Sequence, residues 1–411
     1  MRQVLARPFS HSLALLGALA LLAACGDPVQ PGAVAVSYGG VPASIAAADL
    51  MARYVALGTS NSQGVHSAGI NASGQRAAWP AQLAARAGVP FAVPLIADPG
   101  CSPPLLPPLA ADMALVAVFG SGLIDMVMTT CAPLQAGVTL PGGNLAISGS
   151  KARDALYSSI ETQSSDLRRE LYRRVLLPGF TQVTQMQAMH PTFVSVELAA
   201  NEVLPATTGR FAATTPYAEW QPVYDQILDG VQASGASGAV LVGLPNNAAN
   251  FPSVRRAPEL FNQWAYLLTL GITVSFNCSS WGSNRNNYIF IPGYILTLLS
   301  KTPTTATCAD VPGASDYVLT PSDMSNVNAL MATMNAHIQA QATSRQWAYF
   351  SLDALYGLPK PALDMYKVLF SNTPFGANIS LDGVHPSAQG QAILAAAAAQ
   401  AINAKYGTGI P

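Results

Sequence analysis

Apolar positions along this chain fall into two patterns. Short apolar runs recur at Tyr54–Leu57, Asn144–Ile147, Thr192–Leu198, Ala239–Gly243 and Ala348–Leu352, and each reads as a strand. Longer stretches with helical character lie between or after them, at Pro80–Ala87, Leu156–Leu177, Ala218–Ala233, Pro321–Thr343 and Ala388–Lys405. The last follows Pro386-Ser387, a helix-start signal. This alternation predicts an α/β fold with a mainly parallel sheet. Ligand sites in such sheets lie at the C-terminal ends of strands. Ser60, Gly149 and Asn201 each fall just after a strand-like run, so they are expected to converge on one edge. Two segments look inserted into this alternation. Pro99 to Pro141 is Pro-rich, and Asn246 to Thr320 carries Phe251, Phe261, Trp264, Tyr266, Trp281 and Tyr288. Both are expected either to cap or flank a site or to pack over the sheet edge. Ala265 to Phe276 is apolar but too short to span a bilayer, and reads as a buried element.

The residues able to do chemistry stand near the two ends of that alternation. The chain reads Gly58-Thr59-Ser60 after its first strand and Asp382-Gly383-Val384-His385 before its last helix. An acid three residues before a histidine can accept the proton on one imidazole nitrogen. That fixes the tautomer and leaves the other nitrogen as a base toward a serine hydroxyl. A serine in a Gly-containing turn after a strand exposes its hydroxyl at the strand's C-terminal edge.

These blocks resemble the SGNH, or GDSL-type, hydrolase family. Gly58-Thr59-Ser60 stands for its first block and Asp382 with His385 for its last. Gly149, after Asn144–Ser148, looks like the second block, and Asn201, after Phe193–Leu198, matches the third. The resemblance implies a three-layer α/β/α sandwich of the SGNH-hydrolase, flavodoxin-like kind, to which the cysteine spacing adds two disulfide-bearing loop insertions. It also implies roles. Ser60 is the nucleophile, His385 the base and Asp382 its orienting acid. The N–H groups of Ser60 and Gly149 and the amide of Asn201 form the oxyanion hole. No cofactor is implied. Thr59 departs from the family's Asp in the first block, and Ala199 and Glu202 from its Gly and Asp in the third. The methyl of Ala199 is expected to restrict the backbone there, because glycine alone tolerates all dihedrals. Ser62 is the nearest rival nucleophile and reads as a helix-start residue. His66, His190 and His337 lack an Asp three residues before them and read as structural or surface residues. The arginines at 168, 169, 173 and 174 read as a solvated helix face rather than a contact for anionic headgroups.

The N-terminus has the form of a targeting segment. Arg2 and Arg7 precede an apolar run from Leu13 to Ala24, and Leu22-Ala23-Ala24-Cys25 resembles a bacterial lipobox. The expected layout is a signal peptide over 1–24, a lipidated Cys25 with a Pro/Gly-rich tether over 25–45, and a hydrolase domain over 46–411. Cleavage at a nearby small-residue site is the alternative. Setting Cys25 aside leaves Cys101, Cys131, Cys278 and Cys308, an even number in an exported chain. Order and proximity favour Cys101–Cys131 and Cys278–Cys308. Each bridge closes a loop of about 30 residues, a constraint on the order of 3–4 kcal/mol.

Composition narrows the partners. Charged residues make up 10% and the net charge is −1, which offers no basic stripe for nucleic acid. Half of the residues are apolar, which excludes a disordered chain. There is neither a Cys-x-x-Cys nor a His-Glu-x-x-His pattern, so no metal site is expected. The reading is an exported, lipid-anchored serine esterase or lipase acting on a small-molecule or lipid ester, through a Ser-His-Asp triad and an acyl-enzyme. A non-catalytic binding lipoprotein of the same fold, or an acyltransferase using the same residues, is the alternative.

Overall fold

The computed structural model describes residues 46–107, 131–299 and 304–411. Cys25, the tether and the middle of the first insertion lie outside the described residues. Among the described residues the strands are β1 (Tyr54–Gly58), β2 (Phe193–Glu197), β3 (Gly238–Gly243), β4 (Val254–Arg256), β5 (Ile272–Val274), β6 (Tyr288–Phe290), β7 (Thr304–Ala306), β8 (Val318–Leu319) and β9 (Ala348–Ser351).

The main sheet runs β1-β2-β3-β9, parallel throughout, with Tyr54 opposite Phe193 and Val240 opposite Ala348. The segment Asn144–Ile147, predicted as a strand, lies along the free edge of β1. It makes one parallel bridge, Ala56 with Asn144, and the N–H groups of Leu145 and Ile147 donate to Ala56 and Gly58. Counting that segment, chain order across the sheet is second, first, third, fourth, fifth. This is the flavodoxin-like order, whose direction reverses beside the first strand.

Both faces of the sheet are covered, as a parallel sheet requires. Tyr54, Ala56, Val240 and Val242 pack on one side with Trp79, Leu83, Leu394 and Ala398, from helices Trp79–Ala87 and Ala388–Tyr406. Val55, Leu57, Ala239 and Leu241 face the other side. There they meet Met186, Tyr224, Ile227 and Met334 from helices Gln182–Ala188, Tyr217–Ala233 and Pro321–Ser344. The period-2 alternation of each strand thus feeds two separate cores, and the three-layer sandwich follows.

Both disulfides, Cys101–Cys131 and Cys278–Cys308, are formed. The second insertion builds an antiparallel sheet, β4-β6-β8, and a parallel pair, β5-β7. Among the described residues no helix is long and apolar enough to cross a membrane.

Two expectations need correction. The helix predicted over Leu156–Leu177 is broken into Ala152–Tyr157 and Asp166–Arg173. Ser165 caps the second piece by accepting from the N–H of Arg168, so a polar stretch restarts the helix instead of continuing it. Ala265 to Phe276 is not a buried element. Only Leu267 and Ile272 within it are buried, and Leu268 and Phe276 are exposed.

Candidate active site

β1 delivers Ser60. The strand ends at Gly58, and Ser60 opens a short helical turn, Ser60–Gln63. Gly58 is required by close approach: a Cβ there would stand 2.5 Å from Ser62 Oγ. The turn is braced by a carboxylate that the sequence reading missed. Glu197, the last residue of β2, pairs in register with Gly58. Glu197 accepts from the N–H and Oγ1 of Thr59 at 3.0 and 2.9 Å, and from Ser62 Oγ at 3.0 Å. The residues on either side of the Ser60-Asn61 pair are therefore held from below by one acid. Burial pushes the Glu197 carboxyl upward despite these bonds. Ser62, the rival nucleophile, also accepts from Trp79 Nε1 at 3.2 Å and is fully buried, so its hydroxyl is committed to structure.

The loop before the last helix delivers the histidine. His385 Nδ1 lies 2.8 Å from Asp382 Oδ2. Asp382 further accepts from the N–H groups of Ala68, Val384 and His385 and from Ser380 Oγ. Ser67 and Ala68 reach it from the other end of the chain with φ of 51° and 61°, a left-handed turn that costs a non-glycine residue energy. Ser67 N–H donates to Ser380 Oγ at 2.8 Å and completes that junction. Burial raises the Asp382 carboxyl. The charge and hydrogen bond of His385, with the backbone donors, outweigh burial and hold it at about 2.

β2 delivers Asn201 through a short helix, Ala200–Val203. Its Nδ2 donates to the Ser150 carbonyl at 2.8 Å, which orients the amide and uses one of its two N–H bonds. Ala199 precedes that helix with φ −161° and ψ −19°. Glu202 accepts from the N–H of Ala152 at 2.7 Å and closes the start of helix Ala152–Tyr157. Its other oxygen is buried with no partner among the described residues, and burial pushes its carboxyl up to about 7.

These segments meet at a largely apolar cavity, lined by Ser60, Asn201 and His385 among others. No hydrogen bond joins Ser60 Oγ to the free nitrogen of His385. Such bonds are often long before substrate binds. Asp382 stands behind the imidazole, outside the lining of this cavity. Gly149, at φ +73°, ends the edge segment beside β1 and is not a lining residue either. The N–H groups of Ser60 and Gly149 have no partner among the described residues.

The other histidines sit elsewhere. His337 bonds Asp225 at 2.7 Å between two helices. His190 gives its carbonyl to Arg53 Nε. His66 is kept low in pKa mainly by burial and lies outside the cavity lining. The arginines at 168, 169, 173 and 174 pair with Asp154, Asp166 and Glu170. The second insertion reaches the site, giving Phe251, Val254, Phe290 and Leu319 to the cavity wall. Among the described residues no cluster of three His, Cys, Asp or Glu could hold a metal ion.

A parallel sheet whose C-terminal edge gathers a serine, an amide and a histidine–carboxylate pair is an arrangement suited to nucleophilic hydrolysis. The chain belongs to the GDSL-like lipase/acylhydrolase family, whose model matches residues 54–398. A search of curated proteins found no match. Family membership supports a hydrolase of small-molecule acyl esters. The two disulfides fit an extracellular or periplasmic protein.

Proposed function

We propose that the protein is an exported serine esterase of this family, anchored through a lipid on Cys25. Ser60 attacks the ester carbonyl as His385 takes its proton. Asp382, ionised at every pH of practical interest, orients the ring and stabilises the imidazolium. The N–H groups of Ser60 and Gly149 and the free N–H of Asn201 receive the oxyanion. Water then releases the acid from the acyl-enzyme. Residues 1–24 serve as signal peptide, 25–45 as tether and 46–411 as the hydrolase domain.

One observation carries the reading: His385, 2.8 Å from Asp382, shares a cavity with Ser60 and Asn201. Two others support it. Ser62 is fully buried and bonded to Glu197, which leaves Ser60 as the available hydroxyl of the turn. The apolar run ahead of Cys25 supports export and anchoring.

The test is labelling of the full chain with a fluorophosphonate probe. Wild type and Ser62→Ala are expected to label, Ser60→Ala not at all, and His385→Ala far more slowly. Labelling that survives Ser60→Ala rejects the nucleophile, and a well-folded wild type that never labels rejects the hydrolase mechanism. For the anchor, metabolic labelling with a palmitate analogue is expected to mark wild type and to be lost in Cys25→Ser.

A further inference from the structure

The cavity at Ser60 does not stop at His385. A second apolar groove shares His385 with the first cavity and is walled by Pro292, Leu296, Tyr317, Val368 and Phe375. Leu204, Thr207, Phe290, Val384 and His385 line both spaces. The two are therefore arms of one cleft that meet at the histidine. The residues assigned to attack and orientation are divided between the arms. Ser60 and Asn201 line only the first arm, and Asp382 lines only the second. Among the described residues no Lys, Arg or Glu lines either arm.

We propose that the cleft takes a neutral ester with hydrocarbon on both sides of the scissile bond, its acyl chain in the Ser60 arm and its alcohol chain in the arm beyond His385. This rests on the esterase reading above. The assignment of arms follows from where atoms must go. Attack forms a bond from Ser60 Oγ to the carbonyl carbon, and the serine proton passes to His385. Collapse breaks the bond from that carbon to the alkoxy oxygen, which takes the proton from His385 and leaves as the alcohol. The leaving oxygen must therefore lie on the imidazole side, while the acyl carbon stays bonded to Ser60. Water then adds to the acyl carbon, gives a proton to His385, and the acid departs as Ser60 regains its hydrogen. Ester and water become acid and alcohol, with no other reactant. A headgroup bearing charge would lose its water in the second arm and find no opposing side chain except Asp382, already engaged with His385.

The experiment is acid release by the full chain from two ester series below their solubility limits. In one, octanoate is fixed and the alcohol runs from methyl through butyl to octyl. In the other, the methyl ester is fixed and the acid runs from acetate through butyrate to octanoate. We expect kcat/KM to rise in both series, roughly fourfold per methylene until each arm is filled. Octanoylcholine is expected at least tenfold below butyl octanoate. Leu296→Trp is expected to flatten the alcohol series alone, and Leu105→Trp, on the same groove, serves as an independent block. An acyl-length dependence with no alcohol-length dependence overturns the two-arm assignment. So does a preference for octanoylcholine, or a block that depresses both series alike. In each of these cases esters are still cleaved and the esterase reading stands. Failure to cleave any ester, with no probe labelling, overturns both.

Discussion

The segments Glu197–Glu202 and Ser380–Ser387 both bury carboxylates around the cavity, and they fix the charge of those groups in opposite ways. Asp382 is held at about 2, while Glu202 is pushed up to about 7 and Glu197 is also raised. Burial alone does not separate them, since all three are almost wholly enclosed. The number of donors does not either, because Glu197 accepts from both Thr59 and Ser62 and still rises. The difference is the neighbour. Asp382 faces an imidazole that can carry positive charge, and Glu197 faces neutral hydroxyls and amides. Neutral donors satisfy a carboxylate's geometry without repaying its desolvation. One segment is thus built to hold charge and the other to hold shape.

The comparison can be broken most sharply at Asp382. Asp382→Asn keeps much of the hydrogen-bond geometry and removes the charge. It is expected to lower kcat about 10³–10⁴-fold with far less change in KM, read from steady-state ester hydrolysis. A loss under tenfold would mean that the carboxylate has no special role.

Next is Asn201→Ala, expected to lower kcat roughly 10²–10³-fold if its free N–H meets the oxyanion. The same substitution frees the Ser150 carbonyl, so a circular dichroism melt must accompany the kinetics. A fall in activity matched by a fall in melting temperature would assign Asn201 to structure.

Glu202 gives a prediction of stability with a definite sign. Its folded value, about 7, lies above its ordinary 4.5, so folding favours the protonated form. The stability it contributes is complete below about pH 4.5 and is lost as pH rises through 7. Glu202→Gln stays neutral at every pH. It is expected to unfold later than wild type at pH 8, by up to about 3 kcal/mol, and to show no advantage at pH 4. Urea denaturation at the two pH values decides it, and equal differences at both would refute the shift.

The smallest effect is expected from Thr59→Val, which removes one hydroxyl from the Glu197 brace. A cost of about 1 kcal/mol and a modest drop in kcat should follow. An unchanged kcat would show that the backbone bonds to Glu197 hold Ser60 without it.

Much of this site could be read from the chain before any fold was known, and the reason is local. Asp382 and His385 lie three residues apart and meet within one turn, and Ser60 and Asn201 each follow a run that forms a strand. Glu197 escaped notice because it closes Phe193–Glu197 and reads as an ordinary strand end. A charged residue finishing a strand that is buried on both faces needs partners, and that was the available signal. Thr59, which stands where the family's first block has Asp, donates its N–H and hydroxyl to this acid across the sheet. The edge segment Asn144–Ile147 reads as a strand in sequence, but it makes one bridge to β1 and the backbone bonds of Leu145 and Ile147 without a full ladder. The broken helix after Ala152 had its signal too. The polar stretch Ser158–Ser165, with Ile160 its one apolar residue, interrupts the helical spacing, and the cap at Ser165 marks the restart.

The junction between the first turn and the last loop has a temporal consequence. Ser67 and Ala68 grip Ser380 and Asp382, and Gln391 donates to the carbonyl of Asn61 from 330 residues further along the chain. The pieces around Ser60 can therefore be seated only after the final stretch of polypeptide has been made. A nascent chain carries the serine without its histidine, so on the proposed mechanism the protein stays inert until its own synthesis is over.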